Sequence, residues 1–156
     1  MAELARFEWA LGVAFDAADA PVLALDALAP LAPTDWERVG FTLQPALQFL
    51  TLEWNVAAMW LALEAGQTPP APLQEHAHWL IWRNQWQPHF RSLQQSESAA
   101  LQGLLAGASF ASVCAEALAQ SALITETTAQ AAGWLQTWMA EELLTAITDP
   151  ERSFHP

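Results

Sequence analysis

HAHWLIWRNQWQPHFRSL, residues 76–93, is the stretch whose reading decides the fold. Its dense apolar and aromatic residues and its central polar pair predict a β-hairpin rather than a helix. His76 to Arg83 reads as one strand, Asn84-Gln85 as the turn and Trp86 to Leu93 as the return strand. Pro88 cannot donate to a ladder, which weakens the return strand or places it at an edge. Successive strand residues point to opposite faces, so Trp79 and Trp82 face opposite ways and at least one ring lies away from the main core. The stretch also stands apart in charge. No acid lies between Glu75 and Glu97, whereas the same span holds Arg83, Arg91 and three of the four histidines.

Upstream, residues 2 to 17 read as an amphipathic helix with Leu4, Phe7, Leu11 and Phe15 on its stripe. Residues 22 to 33 read as a loop or a short helical turn, and Thr34 with Glu37 makes a capping-box signature. Phe41, Leu43, Pro45, Leu47 and Phe49 alternate with polar or small residues, as in a strand with one wet face. The apolar set then moves to Leu50, Leu52 and Trp54, the face switch a bulge produces. Asn55 is the expected cap of a helix with Val56, Met59, Trp60 and Leu63 on its stripe, stopped by Gly66. Residues 67 to 73 form a proline-rich connector.

Downstream of the hairpin the sequence predicts three helices. Ser96 caps the first, Glu97 to Ala106. Ser109 caps the second, with Phe110, Val113, Cys114, Ala117 and Leu118 apolar. Thr125 caps the third, which carries Trp134, Leu135, Trp138, Met139 and Leu143 and ends at Asp149-Pro150, leaving a loose tail to Pro156. The expected architecture is α+β and mostly helical, with a small antiparallel sheet of about three strands packed against helices and a winged-helix-like C-terminal half spanning 76–147. A length of 156 residues suits a single domain.

Composition narrows the function classes. Seventeen acids face five basic residues, all arginine, giving a net charge of −12. A surface so acidic is the wrong chemistry for the nucleic-acid backbone, so no nucleic-acid partner is expected. Hydrophobic residues at 53% exclude a disordered acidic tail. Cys114, the one cysteine, rules out an internal disulfide and a cysteine-based zinc cluster. The opening Met1-Ala2-Glu3-Leu4 does not read as a signal peptide, and no stretch has the apolar length of a membrane span. Together with a lone cysteine on a helical stripe, this fits a cytoplasmic protein.

Catalytic signals are sparse. There is no Gly-x-Ser-x-Gly elbow, phosphate loop or dinucleotide fingerprint, so a non-enzyme with no cofactor is expected. His76-x-His78 puts two imidazoles on one side of a strand with His89 across the hairpin, a candidate nitrogen-ligand set or simply exposed polar residues; no metal site is expected from it. Cys114 reads as a buried, inert thiol. Exposed aromatics beside arginines are enriched at interfaces. The hairpin is therefore either a docking site, with peptide adding to its edge by β-augmentation, or a two-sided element buried by helices.

A family resemblance adds to this. Glu3-Leu4-Ala5-Arg6-Phe7-Glu8-Trp9-Ala10, Ala14-Phe15-Asp16-Ala17, Asp19-Ala20-Pro21, the Leu43 to Leu47 and Val56 to Trp60 segments, and Trp79 to Arg83 followed by Phe90-Arg91 together resemble the C-terminal domain of HvfC/BufC-type proteins. Those are companions of multinuclear non-heme iron-dependent oxidative enzymes that modify cysteines in ribosomally made precursor peptides. The resemblance covers the family's C-terminal domain and not its usual N-terminal domain, so the chain is expected to be either a short member or a fragment. The resemblance implies a non-catalytic partner subunit that recognises a precursor peptide and docks on the iron-dependent oxidative enzyme. The residues expected to contact peptide or enzyme are Trp79, Trp82, Arg83, Trp86 and Arg91. Two other readings stay open. One is a DNA-binding regulator whose recognition helix is Ser109 to Gln120; that helix carries Glu116 and neither Arg nor Lys. The other is a structural interaction module.

Overall fold

The N-terminal helix α1 runs from Ala2 to Asp16 and buries Phe7, Ala10, Leu11 and Ala14. Phe15, expected on that stripe, is half exposed, because the buried face follows the 7, 10, 11, 14 spacing and leaves residue 15 on its flank. The computed structural model describes residues 2–119 and 124–149. The fold is α+β with two antiparallel sheets, and the chain divides into two compact units, Met1–Ala18 with Pro45–Leu93 and Asp19–Gln44 with Gln94–Pro156.

The first unit holds α1, strand β2 (Gln48–Trp54), helix α2 (Val56–Glu64), strand β3 (Gln74–Asn84) and strand β4 (Gln87–Leu93). The sheet order is β2-β3-β4, so the hairpin's return strand is an edge, as Pro88 requires. Phe7 is at the centre of this unit's core, with Leu52, Val56 and Ile81 around it. Its ring meets Phe90 edge-on at 5.0 Å, Trp60 at 6.0 Å and Trp79 at 6.2 Å, the T-shaped geometry that ring quadrupoles favour. In α2 the buried residues are Val56 and Ala57, and Leu63 is left exposed. Asn55 does not cap α2 with its side chain. It closes the proline-rich connector instead, accepting from the Leu73 amide at 2.9 Å and donating to the Ala71 carbonyl at 3.1 Å.

The second unit holds two turns of 3-10 helix, Leu25–Leu28 and Asp35–Glu37, strand β1 (Gly40–Leu43), helices α3 (Gln95–Leu105), α4 (Phe110–Ala119) and α5 (Ile124–Ala140), and strand β5 (Leu144–Thr148). Phe110 packs edge-on against Phe41 at 5.8 Å and Trp138 at 6.2 Å. Trp138 is fully buried, and its indole N–H donates to the buried Glu97 carboxylate at 2.9 Å. Ser109 caps α4 as read, accepting from the Ser112 amide at 3.2 Å.

Several expectations change. The single strand from Phe41 to Phe49 is two strands in two sheets, β1 and β2. Pro45 removes a donor and biases the residue before it, which ends the first ladder at Leu43. The last helix stops at Ala140, not at Asp149-Pro150, and the chain returns as β5 paired antiparallel with β1. Thr34 makes no side-chain cap; Asp35 instead accepts from the Ala32 amide. The first downstream helix starts at Gln95, with Gln94 rather than Ser96 in the cap position. The hairpin and the three C-terminal helices, grouped by the winged-helix-like reading, fall into different units. The Leu118 and Thr125 side chains, Gln120 and the tail to Pro156 lie outside the described residues.

Candidate functional site: the hairpin turn

β3 and β4 pair from His78↔Leu93 to Asn84↔Gln87. The turn is therefore Gln85-Trp86, one residue later than the Asn84-Gln85 expected, and Trp86 belongs to it rather than to the return strand. Both turn residues have positive φ, 48° and 69°, as a two-residue type I′ connection demands. Such turns favour Asn-Gly because side chains resist this region. A tryptophan at its second position is a costly choice for the backbone, and the ring is 69% exposed.

The five expected contact residues do not form one surface. Trp79 faces α1 and α2 and packs against Phe7 and Phe90. Trp82 faces the other way, only 7% exposed, with its ring stacked on His89 at 5.6 Å. Opposite orientation is as read, but neither ring is a free anchor. The exposed aromatic is Trp86. Arg83 stands beside it, with its guanidinium carbon 5.5 Å from the Trp86 ring centre, within cation–π range. Arg83 also donates to the Phe15 carbonyl at 2.8 Å, satisfying one of the carbonyls a helix leaves unpaired in its last turn. Arg91 is half buried on β4 and donates to the Ser92 carbonyl at 3.4 Å.

Two buried polar atoms near the turn, the Trp82 Nε1–H and the Asn84 Oδ1, have no hydrogen-bond partner. Orphaned buried groups cost about 1–3 kcal/mol each. The outer edge of β4 completes the site. Counting from the closing pair Asn84↔Gln87, bonded and non-bonded pairs alternate, so the main-chain groups of Pro88, Phe90 and Ser92 point away from β3. Pro88 has no N–H to offer, which blunts one end of the edge and leaves Phe90 and Ser92 to receive a strand.

The histidines separate. His76 and His78 lie edge to face at 5.5 Å. His76 Nδ1 is 2.8 Å from the Glu53 carboxylate and His78 Nδ1 is 3.1 Å from the Thr51 hydroxyl. An acid thus does face this end of β3, contributed by β2, which a linear scan for acids could not see. Among the described residues no group of three His, Cys, Asp or Glu side chains could hold a metal ion. Cys114 is buried, and burial pushes its thiol up to about 11. The thiolate that reactive cysteines need is therefore disfavoured at neutral pH. α4 buries Phe110, Val113, Cys114 and Ala117 and exposes Glu116. The expected site omitted Trp9, which is 76% exposed. Its position off the Leu4, Phe7, Leu11 stripe was the available signal.

No protein-family model and no curated protein matches this chain. No helix among the described residues is long and apolar enough to cross a membrane.

Proposed function

We propose that this chain is a non-catalytic, cytoplasmic partner subunit that recognises a ribosomally made precursor peptide and docks on an iron-dependent oxidative modifying enzyme. The iron belongs to that enzyme, and this chain contributes binding and delivery. The observation that carries the reading is Trp86: a large, exposed aromatic kept at a left-handed turn position where glycine is favoured, with Arg83 against its ring. Strained backbone at an exposed aromatic is a mark of selected function, since stability alone would remove it. The resemblance to HvfC/BufC-type companions supplies the partner classes. The edge of β4 supplies a mode, an added peptide strand bonded to Phe90 and Ser92, with specificity from the arginines. The outward side of α4, which carries Glu116 and neither Arg nor Lys, weighs against the DNA-regulator reading.

The test is co-expression of the full chain with a candidate precursor peptide and a multinuclear iron-dependent oxidative enzyme, followed by co-purification. Arg91→Glu is read together with its melting temperature, as is Arg83→Glu, which removes the bond to the α1 terminus. Arg91→Glu is expected to weaken capture of the peptide by roughly tenfold or more, as loss of a charge-assisted contact does. Undiminished capture of both partners would remove the hairpin edge from the site.

A further inference from the structure

The outer face of α1 is a second surface, built from other residues than the hairpin site. Ala5, Trp9, Gly12 and Asp16 recur at spacings of four, three and four, on the side opposite the buried Phe7 to Ala14 stripe. With Glu8 and Val13, and with Ala17, Ala18 and Pro45 beyond the helix face, they line an open groove of about 760 Å³. Trp9 lines it and is more exposed than any other large hydrophobic residue described. Gly12 lies in the groove, and a Cβ placed there would meet nothing within 4 Å. A mid-helix glycine costs roughly 1 kcal/mol relative to alanine, and no packing constraint among the described residues accounts for it. What it provides is space for a close approach from outside.

The charges lining the groove have one sign. Glu8 and Asp16 line it and, among the described residues, no basic residue does. They are eight residues apart, about 12 Å along the axis, the distance between cations two turns apart on a facing helix. A second copy of this chain would bring the same two carboxylates and another net charge of −12 against the first, so self-association is disfavoured there. We infer that the outer face of α1 is a docking groove for a basic amphipathic helix of a partner protein. That helix lies along α1 with its apolar side on Trp9, Gly12 and Val13, and its lysines or arginines, seven or eight residues apart, reach Glu8 and Asp16. The proposal is independent of the hairpin reading, since neither Trp86 nor Arg91 takes part.

The test uses the full chain and three short synthetic peptides: an amphipathic leucine–lysine helix, a scramble of it with the same charge but no apolar side, and a leucine–glutamate helix. Binding is followed by the Trp9 indole N–H resonance, assigned with Trp9→Phe. The leucine–lysine helix is expected to bind, to shift that resonance and to weaken with added salt. Gly12→Leu is expected to cut its affinity by roughly tenfold or more, as filling a docking pocket does, with a melting temperature equal to or above the parent's. Glu8→Gln with Asp16→Asn, both on the exposed surface, should weaken binding with the fold intact. Equal binding of the scramble or of the glutamate helix, an unmoved Trp9 resonance, or unchanged affinity in both variants would overturn the inference. So would a stable homodimer that Gly12→Leu dissociates.

Discussion

Cys114 shows how much a single side chain can report in this composition. Burial raises its pKa from 9.0 to about 11, and the chain contains neither tyrosine nor lysine. No other side chain therefore titrates between those two values. The unfolded state loses the thiol proton first, so it binds fewer protons than the folded state in that window, and stability falls as pH rises through it. The loss is on the order of 2 kcal/mol by pH 11 and absent below pH 9. Urea titrations of the parent and Cys114→Ala across this range check it: the parent's unfolding free energy declines and the variant's stays flat. The same decline in both would assign the alkaline loss elsewhere. Cys114 as an inert buried thiol was legible from its place on a helical stripe. Trp86 was not assigned to the turn, because Gln85-Trp86 carries none of the residues that mark a type I′ connection, and the more turn-like Asn84 drew the reading one position early.

At the scale of elements, the helix ends separate what the sequence reveals from what it hides. Helices α2 and α3 end alike: the amides of Gly66 and Gln67 bond the Leu63 and Ala62 carbonyls, and those of Gly107 and Ala108 bond Leu104 and Gly103. Each is a Schellman motif with glycine at the left-handed position, φ 66° and 90°. The first stop was read from Gly66, and the second was placed at Ala106, one residue before Gly107. Helix α5 ends on the same motif, with the Glu142 and Leu143 amides bonded to the Met139 and Trp138 carbonyls, but Glu142 takes the left-handed residue at φ 59°. With no glycine to announce the turn, the helical pattern read straight through it and β5 was missed. Glu142→Gly is expected to stabilise the protein by about 0.5–1 kcal/mol, relieving a strain that glycine does not feel. Gly103→Ala should do the reverse. A Cβ there would stand 2.6 Å from Val113 Cγ1 where α3 meets α4, so the overpacking cost of about 1–3 kcal/mol exceeds the gain in helix propensity. Thermal melts of the two variants should move in opposite directions from the parent; movement in one direction would refute the packing argument.

At the scale of the molecule, the two units are threaded through one another in sequence, and this explains the misplaced grouping. A left-to-right reading joins neighbours, whereas β1 finds its partner β5 roughly a hundred positions later, Gly40 against Thr148, by a non-local pairing that no local pattern encodes. The α+β class and the edge position of β4 were legible because alternation and Pro88 are local. The charge asymmetry was legible along the chain and only partly true in space, since β2 brings Glu53 to His76. What remains of the basic, aromatic face is concentrated at the hairpin end, where Arg83 meets the Trp86 ring. If that turn is kept for binding at a cost to the fold, stability and capture must separate in one variant. The direct measurement is Trp86→Gly, comparing its melting temperature and its co-purification with the precursor peptide and the oxidative enzyme against the parent. The expected result is a melting temperature at or above the parent's, because glycine suits the left-handed position, together with loss of capture of one or both partners. Full capture by a stable Trp86→Gly protein would contradict the central role of the turn.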